Sequence, residues 1–333
     1  NKYNIYASTL DQADVNVIHE RIDHGANLLK GNVFQFDFLN DDFSKLPDPL
    51  QSIINNPEKR KKLVIYINPP YAEAGTGLGK QHKEGVAIRN TTKEKYKREL
   101  GKASNELFTQ FLIRIYSEIE GCKIANFSKL KNLQSSNFKD FRNVFLARLE
   151  KLFLTPANTF DNVKGSFPIG FFIWDCGKKE IFNLINADIY DKNSCFIGTK
   201  NIYSYDDIKN GKINDWLKKY YDKKNEIIGI MHNNKTDFQH SSQVVITTFD
   251  NKDHTTQITF KNLISMSIYL TIRHVFPATW LNDRDQFLFP NDGWSSDKEF
   301  HNDCLTFALF SNSNNIQSVH GTNHWIPFTE QEV

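Results

Sequence analysis

Apolar and polar positions follow two rhythms through residues 1–175. Short apolar runs at YNIYAS (3–8), VFQFDFL (33–39), LVIYI (63–67), KIANFS (123–128) and FPIGFFIWD (167–175) predict strands. Between them, DQADVNVIHERIDH (11–24) sets Val15, Ile18 and Ile22 at helical spacing. NELFTQFLIRIYSEIE (105–120) does so more strongly with Phe108, Phe111, Leu112, Ile115 and Ile119. A further helix is predicted over about 138–151. Such alternation predicts a doubly wound α/β sheet, whose ligands lie beyond the carboxyl ends of its strands. The unbroken run LVIYI predicts a central parallel strand covered on both faces.

From about residue 180 the texture changes. Residues 181–260 are richer in Asn, Lys, Asp and Tyr, with turn signals at KNGK (209–212) and HNNKTD (232–237). SQVVITTF (242–249) and TTQITF (255–260) predict a hairpin, and LISMSIYLTIRHVF (263–276) predicts a helix ended by Pro277. This divides the chain into an α/β region, 1–180, and a mixed α+β region, 181–333, with the boundary near 178–190.

Bulk composition narrows the class. The 333 residues are 39% hydrophobic and 24% charged, which is globular rather than disordered. No run approaches the roughly 18 apolar residues of a membrane span, and NKYNIYASTL has no signal-peptide pattern. The net charge of +2 does not by itself announce a nucleic-acid partner. Cys122, Cys176, Cys195 and Cys304 are scattered, without a CxxC or paired-His spacing. That pattern predicts neither a disulfide framework nor a metal site, and a cytoplasmic location.

The most informative stretch is VIYINPPYAEAG (64–75), where an apolar strand ends on Asn68 and two prolines. Prolines at 69 and 70 stiffen the turn and remove two backbone donors. The Asn68 amide oxygen and the Pro69 carbonyl can then accept both hydrogens of an exocyclic NH₂ group. Tyr71 adds a flat face for a ring to stack on.

On the tetrapeptide Asn68-Pro69-Pro70-Tyr71 the chain resembles the S-adenosylmethionine-dependent amino-methyltransferases, especially the DNA adenine-N6 methyltransferases. The same tetrapeptide marks enzymes that methylate a glutamine side chain in release factors and some RNA-base enzymes. The resemblance implies a Rossmann-like doubly wound methyltransferase sheet in 1–180 and a target-recognition, DNA-binding region in 181–333. Asp37 and Phe38, closing the strand FQFDF, match the acid–Phe pair beside the cofactor adenine. Its ribose acid falls on Thr9, a departure, with Asp11 the nearest substitute or else a helix N-cap. The glycine-rich turn that holds the methionine moiety is expected upstream of residue 1.

The resemblance also implies an aromatic against the far face of an extruded base, which Phe160 matches best, with Phe167 the fallback. Eight basic residues in 72–104, among them Lys80, Lys83, Arg89, Lys95, Lys97 and Arg98, are set against four Glu. They would hold a phosphate backbone or form a solvated charged loop. Gly75–Lys80 lacks the register of a phosphate loop and reads as a mobile loop beside the site. Arg273, Trp280, Arg284 and Phe287 form either a DNA contact or a buried Arg–Asp pair with aromatic packing.

The expected function is therefore site-specific methylation of a flipped adenine in double-stranded DNA, in a restriction-modification system with a possible endonuclease partner. A protein-glutamine or RNA-base methyltransferase, or a catalytically silent DNA-recognition subunit, are the alternatives.

Overall fold

The computed structural model describes residues 4–68, 90–161, 163, 165, 167–207, 213–233, 238–247, 254–282, 293–311, 317–318 and 321–322. Two units divide the chain. The first comprises 1–154, 169–190 and 195–204, and the second comprises 155–168, 191–194 and 205–333.

In the first unit, β1 (Ala7–Thr9) and β2 (Val33–Gln35) pair in parallel, as a strand–helix–strand unit requires. The helix between them, α1 (Gln12–Asp23), buries Val15. It stops at Gly25, whose φ of +97° suits glycine. Gly25 N–H then donates to Ile22 O and Ala26 N–H to Arg21 O, the two bonds of a Schellman cap. A short helix, α2 (Asp48–Ile54), leads on toward β3 (Val64–Ile67).

β3 opens a six-stranded mixed sheet, completed by β4 (Lys123–Lys129), β5 (Ala147–Pro156), β6 (Pro168–Lys179), β7 (Leu184–Tyr190) and β8 (Phe196–Tyr203). Their spatial order is β3-β4-β6-β5-β7-β8. β3 and β4 are parallel, linked through α3 (Thr91–Leu100) and α4 (Leu107–Glu118), and β6 runs antiparallel to β4. One face is dry: Ile124, Phe172 and Leu154 are fully buried. Tyr116 of α4 reaches that face through Phe145, which meets Trp174 edge-on at 5.2 Å.

Two expectations fail here. β3 is an edge strand, not a central one, and Val64 and Tyr66 are 61% and 59% exposed. A continuous apolar run gives the burial tendency of side chains but not which strand lies alongside, so it cannot separate edge from centre. The helix predicted over 138–151 is confined to α5 (Lys139–Val144), and the remainder is β5. ARLEKLFL has good local helix formers, but Leu152 and Leu154 alternate into the dry face, and tertiary burial overrides propensity.

The second unit holds a three-stranded antiparallel sheet ordered β10-β9-β11, from β9 (Gly229–Asn233), β10 (Val244–Thr247) and β11 (Thr255–Ile258). α6 (Ile213–Lys218), α7 (Leu263–Val275) and α8 (Lys298–Phe310) supply the rest of its core, around Trp216, Met231, Met266, Tyr269 and Cys304. Both halves of the predicted hairpin exist, but each pairs with β9 rather than with the other. The residues of β9, GIMHN, carry too weak an alternation to be singled out, so its insertion was not legible.

Candidate active site

Asn68 follows directly on Ile67, the last residue of β3, whose partner across the parallel pair is Asn126. Its side chain is exposed at the carboxyl end of the strand. Pro69, Pro70 and Tyr71 lie outside the described residues, as do Gly75–Lys80, Lys83 and Arg89.

The turn after β2 carries the two residues expected beside a cofactor adenine. Asp37 folds the turn around itself: Oδ1 accepts from the Leu39 and Asn40 amides at 3.1 and 3.2 Å, and Oδ2 accepts from Asn40 Nδ2 at 2.7 Å. A carboxylate offers about four lone-pair sites, so one on Oδ2 is left for an incoming N–H. Phe38 is half-buried, stacked on Phe111 at 5.1 Å with the rings 10° apart. The Arg114 guanidinium also lies over the Phe38 ring at 5.4 Å, and the remaining acceptor on Asp37 fits the adenine end of the expected cofactor.

This turn is fastened from outside by the two crossover helices. Arg114 of α4 donates to the carbonyls of Phe38 and Asp41, the latter at 2.7 Å. Its guanidinium lies 4.5 Å from the centre of the Phe43 ring, and its Nε donates to Glu118 at 3.0 Å. Glu118 accepts in turn from Lys95 and Tyr96, both of α3, at 2.8 Å. Burial pushes Glu118 up, but the hydrogen bonds from Lys95, Tyr96 and Arg114 outweigh it and hold the carboxyl below its usual range. At the start of α3, Thr92 donates twice to Leu39 O and the Thr91 amide donates to Asn40 Oδ1. Of this set, only Arg114 leaves a trace in the sequence, as the single charge inside FLIRIY.

Thr9 ends β1 and donates its hydroxyl to Asp14 at 3.1 Å. Asp11 occupies the N-cap position of α1 but makes no side-chain capping bond, so the capping alternative is not realised. Among the candidate phosphate contacts, Lys95 pairs with Glu118 and Lys97 with Glu94 at 2.8 Å, while Arg98 is exposed on α3. These are partly internal uses of the basic charge.

Phe160 and Phe167 belong to the second unit, where both are half-buried. Phe160 follows a single 3₁₀ turn, Ala157–Thr159, and its N–H donates to Ala157 O. The carbonyl of Phe167 accepts from the Ala157 N–H at 2.9 Å, so this turn brings the two residues close along the chain's return. The same unit has a cavity of about 240 Å³ lined by Pro156, Asn158, Asp191, Lys192, Asn193 and Trp280. Arg273 is fully buried in α7, with Tyr269 beneath its guanidinium at 6.0 Å, so it is a core residue and not a DNA contact. Arg284 and Phe287 lie outside the described residues. No helix among the described residues is long and apolar enough to cross a membrane.

No protein-family model matches the chain, and no curated protein matches it. Among solved structures it is weakly similar to a DrdV–DNA complex, with TM-score 0.35 and 16% identity over 56% of this chain and 21% of the other. It is also similar to the M protein of the type I restriction enzyme EcoKI, with TM-score 0.37 and 12% identity over 64% of this chain and 40% of the other. A third is the ATP-dependent type ISP restriction-modification enzyme LlaBIII bound to DNA, with TM-score 0.33 and 10% identity over 56% and 15%. The chain thus spans less than half the length of each. Likeness of this degree defines neither a shared fold nor a shared activity.

Proposed function

We propose that this chain methylates the N6 amino group of an adenine in double-stranded DNA, using S-adenosylmethionine, as part of a restriction-modification system. The observation that carries the reading is Asn68, exposed at the carboxyl end of a strand in a parallel pair and opening the sequence NPPY. The Asn68 amide oxygen and the Pro69 carbonyl accept the two amino hydrogens and draw the nitrogen lone pair out of conjugation with the ring. The bound cofactor supplies an electrophilic methyl group on positively charged sulfur. No general base is needed for attack, because the amino proton becomes acidic once the nitrogen is alkylated. Rate then comes from positioning and from stabilising the charge that develops at nitrogen.

Asp37 accepts from the cofactor's adenine amino group, Phe38 lies against its ring, and Thr9 or Asp11 takes the ribose hydroxyls. The target base leaves the duplex at a cost of about a few kcal/mol and stacks on an aromatic side chain, the role proposed for Tyr71. Lys80, Lys83, Arg89 and Arg98 hold phosphates, and residues 181–333 read the target. One specific observation favours a second reading, a catalytically silent recognition subunit: the Thr9 hydroxyl, in the place of the ribose acid, is turned onto Asp14.

Labelled S-adenosylmethionine offered mixed-sequence duplex DNA, RNA and a cell protein extract separates these readings after digestion to nucleosides and amino acids. N6-methyladenine from DNA, lost in Asn68→Ala, is the expected result. Label in RNA or glutamine changes the substrate. DNA binding without transfer to any acceptor supports the silent subunit.

A further inference from the structure

We propose that Arg114 is a positioning residue that sets the cofactor-binding turn, and so governs cofactor affinity without touching the cofactor. This rests on the methyltransferase reading above.

Within the turn at 37–41 the Asp37 carbonyl accepts from the Asn40 and Asp41 amides at 3.1 and 2.8 Å, and the later carbonyls face outward. Residues 38, 39 and 41 present theirs to α3 and α4: Phe38 O and Asp41 O to Arg114, and Leu39 O to Thr92. Among the described residues, Arg114 is a side chain that grips the turn at both ends. Only 7% exposed, it spends three nitrogens on three different acceptors: two carbonyls of the turn and the Glu118 carboxylate. A guanidinium can do this because its donors form a rigid planar fork, and its flat face can at the same time lie on an aromatic ring, here Phe43.

The consequence falls on Asp37 and Phe38. The Asp37 amide is held by Asp41 Oδ2 at 2.9 Å, and Asp41 is itself held through its carbonyl by Arg114. Arg114's hold on residues 38 and 41 therefore adds to the turn's own hydrogen bonds in fixing the separation between the remaining acceptor site of Asp37 and the Phe38 ring. A lysine cannot reproduce the clamp. Its ammonium is a compact point charge that reaches one carbonyl or the other and does not stack.

Arg114→Lys and Arg114→Gln are compared with the unaltered protein and with Leu154→Ala, a core variant on β5 that controls for lost stability. Binding of S-adenosylmethionine and of S-adenosylhomocysteine is measured by calorimetry, and methyl transfer to duplex DNA is resolved into KM and kcat. The expected result is a rise of about tenfold or more in the cofactor Kd and KM for both Arg114 variants. Their kcat at saturating cofactor and their DNA affinity stay within about twofold, and Leu154→Ala keeps its cofactor affinity. Faster hydrogen exchange at the Leu39–Asp41 amides in Arg114→Lys accompanies the loss.

Cofactor affinity within twofold of the unaltered protein in both Arg114 variants overturns the inference and leaves the methyltransferase reading standing. An equal affinity loss in Leu154→Ala also overturns it, by reducing Arg114 to a general stability role. If the unaltered protein binds neither molecule, the methyltransferase reading fails first and takes this inference with it.

Discussion

Asp37 and Asp222 show how a single carboxylate can organise a loop. Asp37 accepts three hydrogen bonds from its own turn, and Asp37→Ala leaves two amides without that acceptor. Urea denaturation is expected to show a loss of about 1–3 kcal/mol, and Asp37→Asn, which keeps an acceptor oxygen, a smaller one. Asp222, in the second unit, is held down to about 2 by the Asn225 side chain, then the Lys224 amide and the Thr259 hydroxyl. A carboxyl depressed in the folded state stabilises above its ordinary range, and that contribution is lost as pH falls through the folded value. The urea midpoint of the second unit should thus fall between about pH 4 and pH 2. Asp222→Asn should lower the midpoint at neutral pH and flatten this dependence; an unchanged profile would show that the carboxylate carries none of it.

β5 is the element where local preference and final structure disagree. As a strand it sends Leu152 and Leu154 to the dry face and leaves Lys151 exposed between turns of the alternation. Leu154→Ala is expected to cost about 2–5 kcal/mol, against under about 0.5 for Lys151→Ala, both by chemical denaturation. Similar costs at both positions would contradict the period-two pattern. The opposite case is α4, whose apolar stripe of Phe108, Leu112 and Ile115 was legible because period and burial agree. Arg114 was not legible as a clamp, since its acceptors are carbonyls more than seventy residues away and any residue type presents a carbonyl.

Across the whole first unit, the six-stranded sheet has a second, wetter face. Rings from all six strands run along it in contact: Tyr66 with Phe171, Phe171 with Phe127 and Phe153, Phe153 with Tyr190, and Tyr190 with Phe196. Tyr66 and Phe196, at the two ends, are more than half exposed. A contiguous apolar surface of this kind takes up an apolar dye. The folded protein should enhance the fluorescence of anilinonaphthalene sulfonate, and Tyr66→Ser with Phe196→Ser should reduce it without lowering the urea midpoint. A signal unaffected by the pair of substitutions would assign the dye to another surface.

Sequence alone determined the helices at 107–118 and 263–275, whose side-chain period matches their burial, the existence of strands at 64–67 and 123–129, and Asn68 as a polar stop on an apolar strand. These features depend on near neighbours in the chain. Tertiary structure alone decided that β3 stands at a sheet edge, that 147–156 is extended, and that β9 lies between the two strands expected to pair with each other. It also decided that Arg114 grips the Asp37–Phe38 turn. Each of these is a choice of partner, made through backbone groups that every residue carries, and residue identity records little of it.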